Sequence, residues 1–237
     1  TSAFFQLSSL SAVTPDDVAQ LPAAQATLAL MRSRTARLSP AAEQLLHALA
    51  LVSNLPVPLA LELTQQAASD ALESLQEQGL AIRHGEQLSL ADASLRRALF
   101  TELGDAGRRQ RASALLAAEC AHHLTSIDRA GLAATAADVA LMRASIPEAA
   151  DSLSRLGAHA RAAELLDALL PHTQGHAHAT AAYALALMRH RLGRDDACAQ
   201  LALMVANEAG SEAVLRTQAA LLAARALTAL GRFDDAI

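Results

Sequence analysis

The side chains able to do chemistry in this 237-residue chain are nine histidines, two cysteines, 24 carboxylates and 19 basic residues, all of them arginine. The densest histidine group is His172, His176 and His178, with His122-His123 elsewhere. A metal site needs several converging N, S or O ligands, and no thiol or carboxylate cluster accompanies these three. They read as solvated loop residues. Cys120 and Cys198 belong to no CxxC and read as small buried thiols of a reducing compartment, not as a nucleophile or a disulfide. No Ser/His/Asp or Cys/His signature is present, so no catalytic residue is assigned. The absence of lysine is decisive for one chemistry: a phosphate-cradling Gly-x4-Gly-Lys-Ser/Thr loop cannot exist within the chain. The remaining candidate is a basic patch of Arg96, Arg97, Arg108, Arg109 and Arg111, which reads as a contact surface toward a neighbouring domain.

The elements that must position these groups follow from composition. With 59 Ala and 43 Leu, aromatics at 2% and few β-branched residues, the chain is expected to be mainly α. Hydrophobic content of 52% excludes disorder. A net charge of -5 removes any general attraction to nucleic acid or an anionic membrane. No uncharged apolar stretch is long enough to span a bilayer and no signal pattern opens the chain, so a cytoplasmic location is expected.

Residues 1–38 read as a helical connector, with Pro15-Asp16-Asp17 as a helix start. Ser39-Pro40 is an N-cap followed by proline at the first helical position, and Leu45, Leu46, Leu49 and Val52 then recur at helical spacing. Short helices are expected over about 58–66 and 68–78, the second stopped by Gly79. Leu80-Ala-Ile-Arg-His84 and Gln87-Leu-Ser-Leu90 flank a Gly-containing turn and form the one expected hairpin. Three helices and then a hairpin is the order of a winged helix. Helices at about 92–103 and 105–124 follow, Asp105 being placed to cap the second. The helix at 68–78 carries Asp70, Glu73 and Glu77 and no cation, which argues against DNA as its partner.

From about residue 128 everything reads as helix. Leu-Gly recurs at Gly157, Gly193 and Gly231, with spacings of 36 and 38 residues. Seven residues before each stands an alanine (Ala150, Ala186, Ala224), and five after each a small residue (Ala162, Cys198, Ala236). A period in this range signals stacked helical hairpins whose small residues allow close approach and whose glycine ends the first helix. The last instance is Leu230-Gly-Arg-Phe-Asp-Asp-Ala236. A chain that stops just after it begins a new helix is expected to be part of a longer protein.

This three-fold motif resembles the tetratricopeptide repeat (TPR), although the family's large aromatics and closing proline are mostly absent. The preceding region resembles the winged-helix segment that follows the nucleotide-binding domain of STAND-type signalling ATPases, as in large LuxR-type transcriptional regulators and multidomain kinases or cyclases. The residues that carry this are Leu38-Ser-Pro-Ala-Ala-Glu-Gln-Leu-Leu-His-Ala-Leu-Ala50, Ala71-Leu-Glu-Ser-Leu-Gln-Glu-Gln-Gly-Leu80, Leu90-Ala-Asp-Ala-Ser-Leu-Arg-Arg-Ala-Leu-Phe100 and Arg108-Arg-Gln-Arg-Ala112. Ser2-Ala-Phe-Phe5 is similar to a segment near the end of the ATPase module.

The resemblance implies three parts: 1–38, the end of an ATPase module; 39–124, a winged-helix-like domain with following helices; 125–237, TPR-like repeats. It implies a non-catalytic segment that relays a protein partner or small effector, bound on the repeats, to a nucleotide switch and output domain. ATP or ADP would be held by the preceding module and not by this chain. In related modules a histidine can contact the nucleotide phosphate; the aligned residue here is Asp92, whose carboxylate would repel phosphate. A free-standing TPR-type adaptor and a winged-helix DNA-binding regulator are the alternatives.

Overall fold

A computed structural model describes Thr35, residues 38–208 and residues 212–232. The expected connector 1–38 with Ser2–Phe5 and Pro15, and the repeat position Ala236, therefore lie almost wholly outside the described residues.

The protein is mainly helical, with a small three-stranded antiparallel sheet. Helix α1 (Pro40–Leu51) starts where expected: the Ser39 hydroxyl accepts the Ala42 N–H at 3.2 Å, and Pro40 occupies the first turn. Its Leu45, Leu46 and Leu49 are fully buried, at the i, i+4 spacing of a single face. Strand β1 (Leu55–Pro56), α2 (Val57–Thr64) and α3 (Ala68–Glu77) follow, then β2 (Ala81–His84) and β3 (Gln87–Leu90). Strand order is β1-β3-β2, with Leu55 opposite Leu88 and Arg83 opposite Leu88 on the other side.

The two-residue strand β1 corrects the expectation of a lone hairpin. Pro56 sits on this edge strand, where a missing N–H costs no ladder bond. The next N–H, of Val57, donates to the Glu86 carbonyl at 2.9 Å.

Helices α4 (Ala93–Glu102) and α5 (Gly104–Ala117) pack back on α1. Asp92, considered above as a phosphate-sensing position, is the N-cap of α4: its carboxylate accepts the Ser94 N–H at 2.8 Å, which lowers its pKa. Asp105 caps nothing; it lies in the first turn of α5 and pairs with Arg108. The expected single helix over 105–124 breaks at Ala118, and a 3-10 turn occupies Glu119–His123. The cause is distant in sequence. The Glu62 carboxylate of α2 accepts the N–H groups of Glu119 at 2.7 Å and Cys120 at 2.8 Å, anchoring a second helical start. Those two bonds hold its pKa below the ordinary carboxylate value.

Helices α6 (Ser126–Ala136), α7 (Val139–Arg155), α8 (His159–Leu169), α9 (Gly175–Arg191), α10 (Asp195–Asn207) and α11 (Ala213–Ala229) then stack in sequence, each against the next. The three long members, α7, α9 and α11, have 17 residues each and end at the three recurring glycines. Gly157, Gly193 and Gly231 take φ of +76°, +70° and +73°. At each, two backbone bonds close the helix end, as in Ala158 N–H to Leu153 carbonyl (2.9 Å) and Gly157 N–H to Ser154 carbonyl (3.1 Å). The turn from α6 to α7 has the same bonding without glycine: Ala137 is left-handed at φ +57°.

Ala150, Ala162, Ala186 and Cys198 are buried between hairpin helices, whereas Ala224 is only half-buried and Ala223 and Ala226 take the buried positions of α11. Burial pushes the Cys198 thiol up to about 11.

A Cβ at Gly193 would meet no atom within 4 Å, so Gly193→Ala tests backbone conformation alone. It should destabilise the chain by about 1 kcal/mol. Ala137→Gly should shift the urea midpoint the other way, because it relieves a left-handed alanine. Equal midpoints for both variants and wild type would contradict this.

Candidate functional site

Helices α7 and α9 lie side by side with α8 behind them, and a groove of about 790 Å³ runs between them. Along α7 it is lined by Arg143, Pro147, Ala150, Asp151 and Ser154, a single stripe at helical spacing. Along α9 the stripe is His176, Ala177, Thr180, Ala181, Ala184, Leu187, Met188 and Arg191, with Tyr183 beside it. Leu166 and Leu169 of α8 form the floor, and Thr173 with Gln174 close one end. The recess exists because alanines stand where larger side chains would fill the space between the helices. Its size falls in the range of natural ligand clefts.

The polar groups sit at the ends. The Arg143 guanidinium donates from Nε to the His172 carbonyl at 2.8 Å, and Nη2 reaches the same oxygen. Arg191 donates from Nη1 to the Ser154 hydroxyl at 2.6 Å. Both cations are thus held in place by neutral acceptors. The one lining carboxylate, Asp151, is occupied by Arg155 at 2.7 Å. The walls are further braced by Arg189 to Asp167 across α9 and α8 (2.7 Å) and by His190 to Asp195 across the Gly193 turn (2.6 Å). The groove was not read from the sequence. Its signal in the sequence is Ala177, Ala181 and Ala184 facing Ala150, of which only Ala150 belongs to the recurring motif.

The five arginines expected to form one basic patch differ in their surroundings. Arg96 is half-buried and donates to the Ser53 carbonyl at 3.3 Å. Arg108 lies over the Phe100 ring at 4.1 Å and donates to the Phe100 carbonyl. Arg111 contacts His47 Nδ1 at 2.9 Å. Arg97 and Arg109 alone are exposed. On α3, Asp70, Glu73 and Glu77 are all exposed, presenting an acidic face. The loop histidines are also separate. The His172 carbonyl serves Arg143, His178 approaches the Thr173 hydroxyl at 3.3 Å, and His176 faces the groove. Among the described residues no group of three or more His, Cys, Asp or Glu side chains is placed to hold a metal ion, and no helix is long and apolar enough to cross a membrane.

Comparison with protein-family models, curated proteins and solved structures finds no match to this chain.

His47, buried on α1, accepts from the Arg111 guanidinium at 2.9 Å. Burial, and then the Arg111 charge, lower its pKa from 6.5. The unfolded chain therefore binds more protons just below that value, so stability falls as pH drops. The melting temperature should fall as the pH drops from about 7 to about 5, above the range where Asp92 and Glu62 titrate. His47→Gln should flatten this slope. An unchanged slope in the variant would assign the loss to other groups.

Proposed function

We propose that this chain is a non-catalytic regulatory and protein-interaction segment, in which a partner or effector bound on TPR-like hairpins is relayed through a winged-helix-like unit. The observation that carries it is the α7/α9 groove, a mainly apolar recess with two tethered arginines that no side chain among the described residues fills. The order α1, β1, α2, α3, β2, β3 with a three-stranded sheet supports the winged-helix reading. The equal-length helices ended by left-handed glycine support the TPR-like one.

Relay is supported by how the two parts meet. Helix α6 contributes Leu132 to the core built around α1, and Ala130 and Ala133 to the core built around α7 and α8. A shift of the hairpins on binding therefore has a rigid route to the N-terminal unit. By resemblance, the partner of that unit is a nucleotide-binding module of the STAND type, which would hold ATP or ADP. The acidic exposed face of α3 disfavours the DNA-binding alternative, since it would repel phosphates.

Two results test this. The native sequence ahead of Thr1 should encode a Gly-x4-Gly-Lys-Ser/Thr loop after a strand. In that longer protein, exchanging ADP for ATP should change amide exchange in α1–α6. Filling the groove with Ala184→Trp should remove the partner's effect on that exchange while leaving the helical signal intact. A longer protein without the loop, or one whose α1–α6 exchange is indifferent to nucleotide, would overturn the relay and leave an adaptor.

A further inference from the structure

Where α5 packs on α1, one buried contact has a sense that a single proton reverses. Nδ1 of His47 lies 2.9 Å from Nη2 of Arg111. A guanidinium has only donors and keeps its charge, so Nδ1 must offer its lone pair. The ring is therefore neutral and carries its proton on Nε2. One turn earlier on α1, the Glu43 carboxylate stands 3.9 Å from the same Nδ1, with 56% of its side chain exposed. Two groups of opposite charge thus compete for one ring nitrogen. The bare nitrogen suits Arg111, and the protonated one suits Glu43.

Helix α5 is thinly anchored. Of its 14 residues just Ala112 and Leu115 are buried, both in the core around α1. Arg111 adjoins Ala112; among the described residues it forms no ion pair, and its buried Nε has no hydrogen-bond partner. We infer that His47 and Arg111 form an acid-operated latch: a proton taken up at Nδ1 transfers the ring's bond from Arg111 to Glu43 and releases α5 from α1. The proton comes from solvent and forms one N–H bond, and no other covalent bond changes. Two cations then face each other at contact distance in a partly dry site, where repulsion is strong. Helix α1 keeps its place because Leu45, Leu46 and Leu49 are fully buried, so α5 yields. The charged groups around the ring are Glu43 of α1, Glu102 of α4 and Arg111 of α5; burial and then Arg111 oppose protonation, while both carboxylates favour it. The opening is confined to α5, because Glu62, which holds the next turn at Glu119 and Cys120, titrates at lower pH. This device does not depend on what binds the hairpins.

The test is amide exchange on the whole chain through a series of low urea concentrations, at about pH 7.5 and about pH 5.5, corrected for the intrinsic rate at each pH. At the lower pH, α5 should exchange at least about fivefold faster, the low end of a coupling between sites. Its exchange should then depend little on urea, because a local opening exposes little surface, whereas α7 should stay urea-dependent. His47→Gln retains an acceptor for Arg111 without titrating, so α5 should exchange equally at both pH values. Glu43→Ala should move the onset of the opening to lower pH. Long-range nitrogen-15 spectra at about pH 7.5 should show Nδ1 bare and Nε2 protonated. The latch would be overturned by α5 rates indifferent to pH, by an acid response that persists in His47→Gln, or by a proton on Nδ1 at neutral pH. It would equally be overturned if α5 shared the urea dependence of α7 at about pH 5.5, since acid would then only unfold the chain as a whole. An onset unmoved in Glu43→Ala would remove the exchange of partners on which the latch depends.

Discussion

Two packed cores meet on one helix, and a buried carboxylate fixes how they meet. Asp128, in the first turn of α6, accepts the Ser53 N–H at 2.8 Å and the Thr125 hydroxyl at 2.8 Å, while its own N–H donates to that hydroxyl. Arg96 takes the Ser53 carbonyl; burial lowers its pKa from the ordinary value, and the nearby Asp128 charge partly offsets this. The loop after α1 is thus held on both sides of one residue by groups from α4 and α6. A carboxylate with 7% of its surface exposed is costly unless its oxygens are satisfied, and here they are. With the entry of α6 fixed in this way, Leu132 must face the first core and Ala130 and Ala133 the second.

The hairpins beyond α6 depend on a different economy of side chains. Alanine and leucine supply helix propensity at low entropic cost, and alanine lets neighbouring helices approach closely. Where hairpin partners face each other the small residues are buried, as at Ala162 and Cys198. Where α7 and α9 face each other without interdigitating, the same small residues leave a trough. One composition therefore produces both tight packing and an open site, and position decides which. The arginines at the rim complete the site because their partners are a carbonyl and a hydroxyl, which orient charge without neutralising it.

Local features were legible in the sequence. Ser39-Pro40, the Gly79 stop, the Gly85 turn and the three Leu-Gly helix ends each depend on residues within a few positions of one another, and all are found where the pattern places them. Features built by distant contacts were not legible. Strand β1 exists because β3 offers it a ladder 33 residues away. The break after α5 exists because Glu62 reaches Glu119 and Cys120. The left-handed Ala137 gave no signal because its residue type disfavours the conformation that packing imposes. The groove was hidden for a related reason: an alanine stripe reads the same whether its facing surface is filled or empty. Sequence proximity likewise says nothing about which of the five arginines fold inward onto His47, Ser53 and Phe100.

The central claim is that α6 couples the N-terminal unit to the hairpins, and amide exchange through a urea series measures this directly. In the wild-type chain, α1–α4 and α6–α8 should lose protection at one shared midpoint. In Asp128→Ala, which strands the Ser53 N–H, both groups should shift together to lower urea, by about 1–3 kcal/mol. Retention of protection in α6–α8 after α1–α4 have opened, or a shift confined to one group, would contradict the account.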